Sequence, residues 1–405
     1  MDTAKSANAS EPAARGEREA RRHWPAGLAS ARLDRHEVAG AFGDLGTFLP
    51  LLVAMSVENR LDFAAGLFFA GLFNVVTGCV FAIPMAVQPM KAIAAIAITR
   101  GLTVPEIVVA GALVSAVILV LGLTGLIEAV DRLVPRSAVR GIQLAVGLSL
   151  LIKGVTLACN AKAWLALDSR LTAAAAALLV LVLARSRTIP AALILVAAGM
   201  ATVAVARPAE WGAVSWTLWF PHPSLEHWSI DAGVLRAALP QVPLTTLNSV
   251  VAVCALSRDL FPQRPAGTRT VSVSVGLMNL LGAPFGAMPM CHGAGGLAGQ
   301  YRFGARTSGS ILFLGALKIA LAVFFGASMM GICRSFPSSI LGVMLAFSGA
   351  ELALVARDQT RRDDALVAVS TAGVALALND VATGFVAGLV VALALRFGNK
   401  GRDSD

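Results

Sequence analysis

Charge is what this sequence has least of: 14% of its 405 residues are Asp, Glu, Lys or Arg, against about 25% in a soluble domain. With 57% hydrophobic residues and a mean hydropathy of +0.74, that scarcity excludes a soluble protein and predicts an integral membrane protein. Cysteine is also sparse. Cys79, Cys159, Cys254, Cys291 and Cys333 are scattered singly, which excludes a disulfide framework and a zinc site; no metal is predicted. No G-x-x-x-x-G-K-[ST] run occurs, so no nucleotide engine is expected. The absence of alternating polarity argues against a β-barrel. No His/Asp/Glu cluster or nucleophile–base arrangement suggests an enzyme, and no cofactor is implied. Residues 1–36 are too polar for a secretory signal and read as a disordered cytoplasmic tail.

What is present is a series of apolar runs, each about 17 to 25 residues and so long enough to cross about 30 Å of hydrocarbon as a helix. They predict an all-α membrane protein with about fourteen spans: 38–57, 62–83, 90–99, 104–127, 136–157, 170–185, 188–206, 234–257, 269–287, 291–300, 305–330, 336–356, 363–378 and 381–397. The third and tenth are too short to cross, and read as half-helices. The divisions expected are a first seven-span repeat at 37–206, an outer loop at 207–233, a second repeat at 234–397 and a cytoplasmic tail at 398–405. Net charge is +9, but the basic residues sit in short loops and at the termini. That is the positive-inside pattern rather than a nucleic-acid surface, and it places both termini in the cytoplasm of a multi-pass inner (plasma) membrane protein. Tryptophans in the 207–231 loop suit an interfacial anchor.

"MAVQPMKAIAAIA" (Met85 to Ala97) and "FGAMPMCHGAGGL" (Phe285 to Leu297) both place Pro-Met before a short helix of small residues. These helices are each third in a block of seven, and an odd-numbered block repeats with opposite membrane orientation, as in inverted-repeat carriers. Broken helices at membrane depth are tolerated only inside protein or along a cavity. Their N-termini carry partial positive charge and free N–H groups suited to an oxyanion.

The candidate substrate-binding residues are Gln88, Pro89, Met90, Lys91, Cys291, His292, Gly293, Thr47 and Asn248, with Asp44 as a candidate coupling group. Lys91, in the first turn of the third span, either meets the anion or pairs with Asp44. Asp44 either carries a proton or caps the helix break in "GDLGT". His292, placed in the first turn of the tenth span, either donates to an oxyanion or packs; Cys291 is a small packing residue or a thiol contact. Thr47, Thr245, Thr246 and Asn248 line the pocket or, for the threonines, bond back to the preceding turn. Lys318 and Glu351 carry no assignment from sequence.

"GAFGDLGTFLPLL", "QPMKAIAA", "VRGIQLAVGLSL" and "PMCHGAGGLAGQYRFGARTSG" resemble the molybdate transporter family, a relative of the SulP sulfate carriers, from about Gly40 to Phe397. The resemblance implies a seven-plus-seven inverted repeat with a core domain (spans 1–4 and 8–11) and a gate domain (spans 5–7 and 12–14), the oxyanion lying between the third and tenth helices. SulP carriers usually end in a STAS domain; this chain stops about eight residues after its last span, which favours the molybdate branch. The function expected is secondary active import of molybdate by alternating access, with proton coupling. Sulfate or another oxyanion is the alternative substrate, and an anion channel the less favoured mode. Expected partners are the oxyanion, protons, membrane lipids and a second copy in a homodimer.

Overall fold

The computed structural model describes residues 28, 30–161, 163–184, 186, 191–216, 218–223 and 228–400. Residues 1–27 of the expected N-terminal tail and 401–405 of the C-terminal one lie outside the described residues. The first block comprises α1 (Arg35–Ala41), α2 (Leu45–Glu58), α3 (Phe63–Phe81), β1 (Val87–Pro89), α4 (Lys91–Arg100), α5 (Val104–Thr124), α6 (Ile127–Leu133), α7 (Arg136–Cys159), α8 (Arg170–Leu183) and α9 (Ala191–Ala206). After the short α10 (Pro208–Gly212) come α11 (Ala232–Leu244), α12 (Ala252–Leu260), α13 (Thr268–Gly282), β2 (Met290–His292), α14 (Ala294–Arg302), α15 (Gly309–Ser335), α16 (Ser338–Ala353), α17 (Arg362–Ala377) and α18 (Val381–Lys400).

Each of the fourteen expected spans contains helix, and by length and composition seven helices, among the described residues, are long and apolar enough to cross a membrane. Boundaries shift in several places: the eleventh helix, for example, is Gly309–Ser335 rather than 305–330. Asp34 caps α1 by accepting from the amides of His36 (2.8 Å) and Glu37 (3.0 Å), so the first helix begins at Arg35, inside the expected tail. The last helix runs to Lys400, past the expected end at 397. The tenth helical segment is 294–302 rather than 291–300, because residues 290–292 pair as a strand. The chain is therefore not wholly α-helical: among the described residues it has one two-stranded sheet, whose six residues are all buried.

Helix pairings follow a two-fold pattern. α3 packs on α15 and α13 on α5, so the second and fourth segments of each block exchange partners; α7 packs on α16, and α17 and α8 flank that pair. The α7/α16 contact is built on small residues. A Cβ at Gly147 would stand 2.5 Å from the Ala353 amide nitrogen, and one at Gly349 2.5 Å from the Gly147 carbonyl, so the backbones meet as only glycine permits.

Two irregularities position the centre. The first span changes to a 3-10 turn at Phe42–Asp44, where a Cβ on Gly43 would lie 2.6 Å from the Gly299 carbonyl of α14. The eighth contains Pro240 and Pro243, then a π-helical stretch, Thr245–Val251, before α12. Proline removes amide donors and π-turns widen the helix there, so polar side chains turn inward.

Candidate functional site

β1 and β2 run antiparallel, with Val87 opposite His292, Gln88 opposite Cys291 and Pro89 opposite Met290. The Met90 amide adds a bond to the Pro289 carbonyl at 2.9 Å, so the two Pro-Met steps cross face to face. Neighbouring helices hold this crossing through buried asparagines. Asn74 of α3 accepts from the Val87 amide (3.0 Å); Asn279 of α13 accepts from the Met290 amide (2.6 Å) and donates to its carbonyl (2.7 Å). From the crossing, α4 leaves at Lys91 and α14 at Ala294.

The two N-termini are not equivalent. At α4, Gln241 accepts from the amides of Ala92 (2.9 Å) and Ile93 (3.3 Å), while its own Nε2 donates to Thr245 (2.8 Å). The α4 amides expected to be free are therefore largely satisfied, and what α4 offers is its dipole and the half-buried Lys91. At α14 the first turn is Ala294, Gly295 and Gly296, and no side chain caps its amides among the described residues. A Cβ on Gly295 would meet open space.

Gln88 and Asp44 lie against this turn. Gln88 Nε2 donates to Asp44 Oδ1; a Cβ on Gly293 would fall on Gln88 Oε1, and one on Gly296 would lie 2.8 Å from Gln88 Nε2 and 3.0 Å from Asp44 Oδ1. Asp44 Oδ2 and Gln88 Oε1 are buried without partners. Lys91 and Asp44 make no ion pair within 4 Å; Gln88 takes the carboxylate instead. The charges of Lys318 and Lys91 both act on Asp44.

His292 sits in β2, two residues before α14, not in its first turn. Its Nε2 shares a 3.0 Å hydrogen bond with Ser274, Nδ1 has no partner, and the ring packs edge-on to Phe81 at 5.5 Å. Cys291 accepts from Ser249 at 3.1 Å. Thr246 bonds back to the Val242 carbonyl (2.9 Å); Thr47 and Asn248 are half-buried on the first and eighth spans. No group of three or more His, Cys, Asp or Glu able to hold a metal occurs among the described residues.

Sequence reasoning missed Gln241, Asn74, Asn279, Ser249 and Ser274, and singled out Lys318 without giving it a role. Each is a polar group inside an apolar helix, which is the available signal. Lys318 is 3% exposed, its Nζ has no hydrogen-bond partner, and it sits 3.6 Å over the Phe48 ring, one helical turn after Asp44. Glu351 is exposed.

Comparison with known proteins places this architecture. The family described as "Molybdate transporter of MFS superfamily" matches residues 36–150 and 233–352. Arabidopsis thaliana "Molybdate transporter 2" is 39% identical over 89% of this chain and 87% of its own length; "Molybdate transporter 1" of the same plant is 37% identical over 90% and 89%. The Chlamydomonas reinhardtii "Molybdate transporter 1" is 33% identical over 89% and 91%. Among solved structures, murine Slc26a9 in the inward-facing state aligns with TM-score 0.68 at 14% identity over 98% of this chain and 74% of that one. The transmembrane domain of the cyanobacterial bicarbonate transporter BicA aligns at 0.64 and 13% over 88% and 97%. The fold is thus the SulP/SLC26-type anion-carrier fold in a multi-pass membrane protein, and the chain belongs to the molybdate transporter family.

Proposed function

We propose that this protein is a secondary carrier importing molybdate, a tetrahedral dianion, and that the anion is held between the N-termini of α4 and α14. The observation that carries the binding mode is the crossing of β1 and β2, which aims two helix N-termini at one buried region. The names of the relatives support molybdate as the substrate. The α14 amides, Lys91 and the Gln88 amide supply donors to the oxyanion. Gly293 leaves room for Gln88; Pro89, Met90, Cys291, His292, Thr47 and Asn248 shape the surrounding wall.

The charges suggest how a dianion is matched. Lys91 and Lys318 against Asp44 leave a net single positive charge; protonating Asp44 raises it to two. Dianion entry against a negative-inside potential costs about 2.3 kcal/mol per charge per 100 mV, so a proton taken by Asp44 with each anion serves both charge matching and driving force. Alternating access fits a core of α1–α5 and α11–α15 moving against a gate of α7–α9 and α16–α18, fourteen spans in two inverted blocks. The two bodies meet where α4 and α11 touch α7 and α2 touches α16.

The test is uptake of labelled molybdate into proteoliposomes, with sulfate and tungstate as competitors and an imposed pH gradient. Uptake should saturate, be accelerated by an inward proton gradient and be blocked better by tungstate than by sulfate. Sulfate outcompeting molybdate at equal concentration sinks the substrate assignment; indifference to the pH gradient sinks the coupling.

A further inference from the structure

A cavity of about 670 Å³ opens beside the ends of α3 and α12, and no residue of β1 or β2 lines it. Its wall brings together three arginines far apart in sequence: Arg32 before α1, Arg264 after α12 and Arg306 between α14 and α15. Thr307 adds a hydroxyl, and Ile83 and Phe261 add apolar surface. None of the described residues lining it is acidic. By the orientation proposed above, this is the cytoplasmic face.

The wall is built rather than incidental. Glu37, 3% exposed, accepts from the amides of Arg306 (2.8 Å), Thr307 (2.9 Å) and Ser310 (3.2 Å), fixing the loop that carries Arg306. Thr307 Oγ1 in turn accepts from the Arg32 amide at 3.2 Å, tying the N-terminal segment to the same loop. The Arg306 guanidinium stacks 3.6 Å over Tyr301, and its Nη1 donates to the carbonyls of Tyr301 (2.6 Å) and Ala305 (2.8 Å). Nε and Nη2 are left without an intramolecular partner among the described residues. Arg264 has no side-chain partner at all among them, and it is exposed.

Three guanidinium groups lining one cavity repel each other; Asp34 offsets Arg32 in part, and an anion shared between the three relieves the rest. Arginine forks match the oxygens of a phosphate-type group, and basic pockets between helix ends on the cytoplasmic side suit lipid headgroups. The volume falls in the range of small-molecule sites, about 300 to 1,000 Å³, larger than a bare tetrahedral anion needs. We infer that this cavity is a second anion site, separate from the transport site, which takes a phosphate-type oxyanion group carried by an anionic lipid headgroup or free in the cytoplasm. An occupant links the N-terminal segment, the end of the eighth span and the α14–α15 loop, all within the proposed core, so it stabilises that body without touching the gate.

The test compares thermal unfolding of the purified full-length protein and the Arg32→Gln/Arg264→Gln variant. One arm adds inorganic phosphate in neutral detergent; the other uses phosphatidylcholine vesicles with and without phosphatidylglycerol. The wild type should gain stability from at least one source, and the variant should need about 25-fold more of it, about 5-fold per arginine. A gain from phosphate in detergent assigns the free oxyanion; a gain only from phosphatidylglycerol assigns the headgroup. No gain in the wild type, or an equal gain in the variant, overturns the inference. If the double variant does not fold, Arg264→Gln alone, on an exposed side chain, gives the same readout at about 5-fold. The carrier reading stands or falls separately, on labelled molybdate uptake.

Discussion

The amide of Met90 donates to the carbonyl of Pro289 at 2.9 Å. This bond ties the two Pro-Met steps together at the point where both chains turn into short helices. Because Pro89 and Pro289 lack N–H groups, the sheet can be only a few residues long, and each chain is released quickly into its helix. The uncapped first turn of α14 is the result, and glycine substitutions probe it. Gly295→Ala adds a methyl into open space and removes about 0.5 to 1 kcal/mol of glycine's helix penalty, so the protein should unfold no earlier. If the α14 amides hold the anion, molybdate affinity by isothermal titration should fall at least about tenfold, roughly one lost charge-assisted bond. Gly293→Ala should lose affinity too, since its methyl would displace Gln88.

Lys91 is half-buried and makes no ion pair within 4 Å among the described residues. Its removal leaves no orphaned partner, so Lys91→Ala should fold with an unfolding midpoint close to wild type. Losing a cation beside a dianion should weaken molybdate binding about 10- to 100-fold. Unchanged affinity with an intact fold removes Lys91 from the site.

Outside the membrane, Asp168 tethers the loop before α8 to the start of α16, accepting from the Ser338 amide (3.1 Å) and hydroxyl (3.1 Å) and the Ser339 amide (2.9 Å). Burial pushes its carboxyl up, but the serine hydrogen bonds outweigh it and hold it below the usual value. A carboxylate depressed in the folded state stabilises above its unfolded pKa of about 3.9, and the effect is lost as pH falls through the lower folded value. Thermal stability should therefore show no Asp168 contribution to its pH dependence between about pH 5 and 8. Asp168→Asn should lower the midpoint throughout that window, and a midpoint equal to wild type there dismisses the tether.

The helices and the paired breaks were legible because apolar length and the Pro-Met repeat are local signals. The strand pairing was not, since three-residue strands have no periodicity and exist only because Asn74 and Asn279 take up their free backbone groups. For the same reason His292 was placed in a helix rather than in β2. Gln241 shows a deeper limit: its role as the cap of α4 depends on the eighth span crossing the third 149 residues away in sequence. Asp44 was recognised, but of the two alternatives for Lys91 the direct pairing with Asp44 is absent; Gln88 bonds the carboxylate and the charge of Lys318 acts on it, groups that no spacing in the sequence brings together.

Lys318 is best tested together with Asp44. Its buried ammonium lies over an aromatic face without a hydrogen-bond partner and acts on the buried Asp44 carboxylate; removing one of two such opposed charges leaves the other uncompensated, whereas replacing both is often neutral or stabilising. Lys318→Met should therefore unfold below the wild-type temperature, Lys318→Met with Asp44→Asn should recover it, and molybdate uptake should drop at least about tenfold in the single variant. Its preference for dianions over monoanions such as nitrate should narrow as the site loses one positive charge. Normal uptake in a well-folded Lys318→Met assigns the lysine a packing role only.

Among the described residues, two ion pairs join the proposed core to the proposed gate. Lys153 of α7 meets Glu58 at the end of α2 (2.9 Å), and Arg236 of α11 meets Asp380 ahead of α18 (3.8 Å). Both lie on the outer side by the proposed orientation, whereas Arg140 and Asp358, on the inner side, pair within the gate (2.6 Å). The outer pairs favour the outward-closed state. On the inner side the bodies are joined by Arg302 of α14, which donates to the carbonyls of Ala184 (3.1 Å) and Ser186 (3.0 Å) after α8, so removing the outer pairs alone tips the balance. Partly exposed pairs are worth about 0 to 1 kcal/mol each, so Lys153→Gln together with Arg236→Gln should shift the equilibrium toward outward-open by up to about 30-fold. A single-cysteine reporter at Ser56, buried near the outer end of α2, should then label faster with a membrane-impermeant reagent in the double variant. Arg140→Gln, which breaks only the pair inside the gate, should leave the labelling rate unchanged. Equal acceleration by both would mean that loosened packing, not the outer pairs, controls access.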